Sequence, residues 1–229
     1  MTVPKYRVLI IGAGGFGREV LAWIKSFPAS IQLPKDEWYI GGFLDDNSQA
    51  LDQYNIKEKI IGKPLEFEYQ PEDRLICTIA EPHVKLKLCR QLEAQNRQFV
   101  NMFCDRSILE RDNIFGKGII MVPGANMTTN ITVGNYVTLN GYATVGHDVI
   151  IGDGCTINSH VDITGAVVLH EGVFIGTHAT IIPTIHVGEY ARIGAGSVVV
   201  RPVSPYTTVM GVPAKKLFSN IPNANNDVT

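Results

Sequence analysis

From residue 109 onward, large apolar side chains recur every six positions. Leu109, Phe115, Met121, Met127, Val133, Leu139, Val145, Ile151, Ile157, Ile163, Leu169, Ile175, Ile181, Val187, Ile193 and Val199 hold this phase without a break. In a chain that is 45% hydrophobic, such a run has a chance probability on the order of 10⁻⁵. Two positions before each anchor, from Ile119 to Ser197, the residue is small or β-branched. Gly or Asn often follows the anchor, as at Gly134, Asn140, Gly146, Gly152, Asn158, Gly176, Gly188 and Gly194, and these types are expected to supply φ > 0 at tight corners. A β-sandwich would show period 2 with irregular turns. A six-residue unit is instead a short strand plus a corner, which winds into an all-β parallel β-helix with the anchors inside. No insertion interrupts the phase, so no loop is extruded from the coils. Whatever closes a site there is expected from the N-terminal half, a neighbouring chain or the C-terminal tail.

Residues 1–100 follow another rhythm. Arg7–Ile11, Tyr39–Leu44, Leu75–Ala80 and Phe99–Phe103 read as strands. Gly17–Phe27 and His83–Asn96 carry apolar residues at helical spacing. Alternating strands and helices predict a small parallel sheet, an α/β half-Rossmann domain. The expected organisation is 1–104 as this domain, 105–218 as the β-helix, and 219–229 as a disordered tail.

Gly12-Ala13-Gly14-Gly15-Phe16-Gly17 follows the first strand and opens the first helix. In that context a G-x-G-x-x-G loop lets the backbone approach a diphosphate, whose charge sits on the helix N-terminus. Asp45 and Asp46 lie 31 and 32 residues past Gly14, beyond the ~20 usual for a ribose-binding carboxylate. Only one βαβ half fits in this domain, so a nucleotide joined to a sugar suits it better than a dinucleotide.

Composition narrows the choices further. Twenty basic against 22 acidic residues give a net charge of −2, with no electrostatic pull toward nucleic acid or anionic membranes. No apolar run approaches the ~18 residues of a membrane span. The apolar stretch after Arg7 is Gly-rich and lacks a signal-peptide cleavage site. Four cysteines without C-x-x-C spacing suit a reducing, cytoplasmic setting.

The hexad pattern resembles the hexapeptide-repeat acyltransferases, which implies a left-handed parallel β-helix with coils of about 18 residues. With the glycine-loop domain in front of it, almost the whole chain resembles the PglD-type nucleotide-aminosugar N-acetyltransferases and the NeuD-type sialic acid O-acetyltransferases. Three segments carry the likeness: Ile11 to Val20, Gly146-His147-Asp148-Val149-Ile150-Ile151-Gly152, and Met210-Gly211-Val212-Pro213-Ala214-Lys215. The resemblance implies His147 as general base supported by Asp148. It implies Gly12, Gly14, Gly15, Asp45, Asp46 and Ala80 around the nucleotide-linked sugar. Acetyl-CoA, the co-substrate, is expected at Thr156, Gly165, Gly176, Thr177, Ala195 and Lys215, with Arg192, Lys215 and Lys216 near its phosphates. A homotrimer with sites in clefts between chains is also implied. The family's second histidine, nine residues after the base, is replaced by Thr156. The family's Gly-Asn or Gly-Asp after the fourth strand is replaced by Ala80-Glu81-Pro82.

Coil arithmetic gives a separate argument. Residues 18 apart should stack about one strand spacing apart, near 4.8 Å, which puts His147 on Gly165 with Thr129 and Pro183 in the same column. An imidazole beside an unobstructed glycine N–H is the minimum apparatus for attack on a thioester carbonyl. His160 and His178 are expected to stack under Tyr142, and Asn140 on Asn158, as structural ladders. The zinc-binding carbonic anhydrases of this fold use a histidine pair five residues apart, and no two histidines here have that spacing; no metal is expected. The function expected is acetyl-CoA-dependent N-acetylation of a UDP- or GDP-linked amino sugar in bacterial surface-glycan biosynthesis. The alternatives are O-acetylation of sialic acid or another sugar, or a non-catalytic β-helix that binds nucleotide sugars.

Overall fold

The computed structural model describes residues 5–27, 30–34, 36–104, 108–109 and 112–219. The expected disordered tail, 219–229, lies outside these residues except for Ser219, which pairs with Thr207 in the closing hairpin.

The N-terminal half is a parallel four-stranded sheet. Its strands are β1 (Tyr6–Ile11), β2 (Trp38–Leu44), β3 (Ile60–Gly62) and β4 (Asp73–Cys77), in the order β3-β2-β1-β4. Val8 to Ile11 of β1 are fully buried, as expected of a central strand covered on both faces. Helix α1 (Gly15–Ser26) buries Val20, Leu21 and Ile24, one stripe at helical spacing. Helix α2 (Pro82–Ala94) starts with Pro at its first turn and buries Lys85, Leu86, Cys89 and Leu92. The short β3 has too little alternation to be read from sequence.

The expected strand Phe99–Phe103 is divided between two sheets. Phe99 bridges Leu75 in the N-terminal domain, while β5 (Met102–Phe103) pairs with Ile120–Met121 of the first coils. Asn101 marks the handover, since its side-chain amide donates to Gly116 O and its Oδ1 accepts from Ile119 N–H.

From β5 the chain winds a triangular prism, mostly of two-residue strands, with faces of eight, six and five strands; the eight include β5 and the closing hairpin Thr207–Gly211 and Ala214–Ser219. Pairing joins residues 18 apart in parallel, for example Thr138 with Thr156 and Thr144 with Asp162. The anchors from Met121 to Val199 and the small residues from Ile119 to Val173 are buried in one continuous core. Each fully buried Val, Leu or Ile contributes roughly 1.5–3 kcal/mol, so the hexad phase itself stabilises the tube.

One expectation about the corners is corrected. Positive φ falls on the third residue after each anchor from Leu109 to Ile193, as at Asn130, Tyr136, Asp148 and His160, and not on the residue directly after it. The glycines after the anchors answer a different constraint. A Cβ at Gly146 would lie 2.8 Å from Gly165 N, and one at Gly176 would lie 2.6 Å from Ala195 N. Glycine there lets successive coils lie against each other.

The N-terminal domain docks through α2 on the eight-stranded face and its adjoining corner. Arg90 pairs with Glu171 at 2.5 Å, Tyr136 donates to Glu93 at 2.8 Å, and His83 stacks on Tyr190 with ring centroids 3.9 Å apart.

Candidate active site

His147 stands at the corner between the six- and five-stranded faces, between the strands Thr144–Val145 and Ile150–Ile151. The column is built as the coil arithmetic expects. Asp148 N–H donates to Thr129 O, Ala166 N–H to His147 O, and Thr184 N–H to Gly165 O. Side-chain exposures of 66% for His147 and 56% for Asp148 leave both open to a substrate. The left-handed φ of +59° at Asp148 is tolerated by a short polar residue. Its carboxylate lies 2.8 Å from His147 Nδ1.

That contact sets the ring's chemistry. When Nδ1–H donates to Asp148, Nε2 keeps its lone pair, the tautomer a general base needs. Nε2 lies over Gly165, where a Cβ would be 2.6 Å from both Cε1 and Nε2. Gly165 N–H has no acceptor among the described residues, so it is a donor without a partner beside a base.

The glycine loop forms the second locus. Gly12 turns at φ +95°, and a Cβ at Gly17 would strike Gly12 O, so both glycines serve the strand–helix turn. Gly14 caps α1 without a side-chain hydrogen bond, and α1 has no acidic residue in its first turn. Gly14 and Gly15 are exposed, and no atom lies within 4 Å of a Cβ built on Gly14. An open helix N-terminus of this kind suits an anion. Asp45 accepts from Ala13 N–H at 2.7 Å and from Asn47 N–H at 2.8 Å, so it shapes the loop; Asp46 beside it is exposed. Arg18 lies over the Tyr54 ring at 3.7 Å, a contact with no clear sequence signal.

The residues expected around acetyl-CoA are not brought together. Gly176, Thr177 and Ala195 share the corner between the eight- and six-stranded faces, where Gly196 N–H donates to Thr177 O. Thr156 is a correction. It is fully buried and its hydroxyl donates to Ala80 O at 2.7 Å, so it presents nothing to a thioester. Arg192 is also corrected as a free phosphate ligand, because its guanidinium donates to the Glu81 carboxylate at 2.9 and 3.1 Å. Lys215 and Lys216 are exposed and share a cleft of about 300 Å³ with Arg201, a third cation that the sequence reading passed over. Ala80 is itself exposed at the end of β4.

The other polar columns are ladders. Tyr142, His160 and His178 stack with centroids 5.2 and 4.6 Å apart, and Asn140 donates to Asn158 at 3.3 Å. No group of three or more His, Cys, Asp or Glu able to hold a metal occurs among the described residues. No helix among them is long and apolar enough to cross a membrane.

Geometry divides the candidate residues between two sides of the prism. The glycine-loop domain covers the eight-stranded face, and His147 stands on the edge opposite that face.

Known proteins share this architecture. Residues 7–92 match the PglD N-terminal domain, and residues 166–201 match the bacterial transferase hexapeptide family of six repeats. The chain thus joins a PglD-type N-terminal domain to bacterial-transferase hexapeptide repeats. The whole chain is similar to WeeI from Acinetobacter baumannii AYE, with 27% identity and a TM-score of 0.79 over 93% of this chain and 100% of that one. The fold is shared with PerB from Caulobacter crescentus, described in complex with CoA and GDP-perosamine, at 24% identity and TM-score 0.81 over 95% and 100% of the two chains. It is shared too with the acetyltransferase domain of PglB from Neisseria gonorrhoeae FA1090, at 24% identity and TM-score 0.81 over 92% and 99%; that domain is also described in complex with acetyl coenzyme A. No curated protein matches the chain.

Proposed function

We propose that this protein transfers the acetyl group of acetyl-CoA to the amino group of a UDP- or GDP-linked amino sugar, as a cytoplasmic homotrimer in bacterial surface-glycan biosynthesis. One observation carries the reading: His147 Nε2 lies over Gly165, whose N–H has no partner among the described residues, while Asp148 holds Nδ1.

The sugar amine attacks the acetyl carbonyl as His147 Nε2 takes its proton. Gly165 N–H stabilises the oxyanion, and Asp148 stabilises the imidazolium. Collapse of the tetrahedral intermediate expels the CoA thiolate, which takes the proton back from Nε2. The sugar's diphosphate lies on the N-terminus of α1, at Gly14 and Gly15, with Asp45 holding the loop. Arg201, Lys215 and Lys216 form the cationic cleft for CoA phosphates.

The opposed placement of His147 and the glycine loop favours a site shared between subunits, with the base of one copy facing the nucleotide domain of the next. Ile114 and Ile150, 66% and 49% exposed on the five-stranded face, supply an apolar surface for that assembly.

The test mixes protein, acetyl-CoA and UDP- or GDP-linked 4-amino sugars and follows thiol release. Turnover with an amino sugar that is lost in His147→Ala supports the reading. Turnover with hydroxyl acceptors alone, or saturable nucleotide-sugar binding without thiol release, rejects it.

A further inference from the structure

We propose that Lys85 is a positioning residue for the nucleotide-sugar subsite. Acting with Thr156, it fixes the loop between β4 and α2 onto the β-helix. The proposal rests on the functional reading above and extends it to a residue outside the reacting atoms.

The strand order β3-β2-β1-β4 places a topological switch point between β1 and β4. In open parallel sheets, ligands bind at such a point, beyond the carboxyl ends of the strands. One wall of that crevice is the glycine loop after β1; the other is the loop Ile79–Glu81 after β4. The Thr78 hydroxyl lies 2.8 Å from Ile11 O and 3.0 Å from Gly12 O, so the two walls meet at their base.

The second wall is bound to the prism from below. Lys85, one turn into α2, is 1% exposed. Its Nζ donates to Thr156 Oγ1 at 2.9 Å, and to Thr138 Oγ1 and Cys155 O at 3.3 Å each. Thr156 Oγ1 in turn donates to Ala80 O at 2.7 Å. Lysine, threonine and the loop carbonyl thus form one chain of hydrogen bonds. Its anchorage spans two coils, because Thr138 and Thr156 are neighbours in the eight-stranded face.

This arrangement is a poor choice for stability alone. The hydrogen-bond partners of the buried ammonium are all neutral, and the titratable groups around it are the thiols of Cys77 of β4, Cys89 of α2 and Cys155 of the prism, with the carboxylate of Glu81 in the loop. Burial lowers its pKa to about 8. An apolar side chain of similar volume would fill the space without that desolvation. What the ammonium adds is direction, through three donors that set where α2 and the loop before it stand.

The test uses the full-length protein with Lys85→Met and Thr156→Val. Lys85→Met should raise KM for the nucleotide-linked amino sugar about tenfold, the worth of one hydrogen bond in the anchorage. Its kcat and its KM for acetyl-CoA should stay at wild-type values, with Tm equal to or above wild type. Thr156→Val should give the same KM shift with a lower Tm. A wild-type sugar KM in Lys85→Met overturns the proposal. So does a joint loss of kcat, both KM values and Tm, which would mark a purely structural lysine. Should the wild type acetylate no amino sugar, binding of UDP and GDP decides separately: tenfold weaker binding by Lys85→Met sustains the positioning role, and equal binding overturns it.

Discussion

The imidazole of His147 occupies the space that a side chain at residue 165 would need. A Cβ on Gly165 would lie 2.6 Å from two ring atoms. Gly165 has no left-handed φ, so its backbone accepts alanine. Gly165→Ala should fold normally and lower kcat about 10²-fold by pushing Nε2 away from the oxyanion donor. Steady-state kinetics beside a melting curve measure both effects.

His147→Ala should lower kcat by about 10²–10⁴-fold and leave Tm unchanged, because the side chain is two-thirds exposed. Asp148→Asn keeps a residue that tolerates the left-handed corner but no longer holds the imidazolium by charge. A loss of about tenfold in kcat is expected there, read by thiol release at saturating acetyl-CoA.

Asp45→Ala should act on one substrate only. It removes the acceptor for Ala13 and Asn47 N–H and so slackens the turn that presents α1 to a diphosphate. KM for the nucleotide sugar should rise about tenfold while KM for acetyl-CoA holds, a split visible in paired titrations.

Ile150→Lys places a charge on the apolar five-stranded face. It should shift the sedimentation coefficient from trimer to monomer and abolish transfer, although His147 and Gly165 remain in place. A fully active monomer would refute the shared site.

Stability should depend on pH through Lys85. Its pKa falls from 10.5 in the unfolded chain to about 8 in the fold. The unfolded chain therefore binds more protons between those values, and stability rises with pH across that window. Below pH 8 the full desolvation penalty is present, on the order of 3 kcal/mol. The Tm difference between wild type and Lys85→Met should narrow from pH 7.5 to 9.5, as differential scanning fluorimetry would record.

The β-helix and the stacking at the His147 corner are legible because both are local periodicities. Six-residue spacing gives the core, and stacking at 18 gives the His147–Gly165 pair. The fate of Thr156 was not legible. Its burial depends on Lys85, 71 residues away, and no local pattern encodes a helix docking on a face. The pairing of Arg192 is hidden in the sequence for the same reason, since Glu81 lies 111 residues away. The glycines after the anchors carry an ambiguous signal, because a coil corner and a coil-to-coil contact call for the same residue. Only the backbone angles separate the two.

The glycine-lined contacts between coils bear on how such a chain can change. Every turn rests on the peptide of the turn before it, and hydrogen-bonded partners such as Asn135 and Asp153 are 18 residues apart. A one-residue insertion within a strand would shift every later anchor out of phase unless it bulged outward at a corner. Length in this spiral can therefore change without emptying the core only by whole coils, or by a loop that leaves the wall and rejoins it in phase.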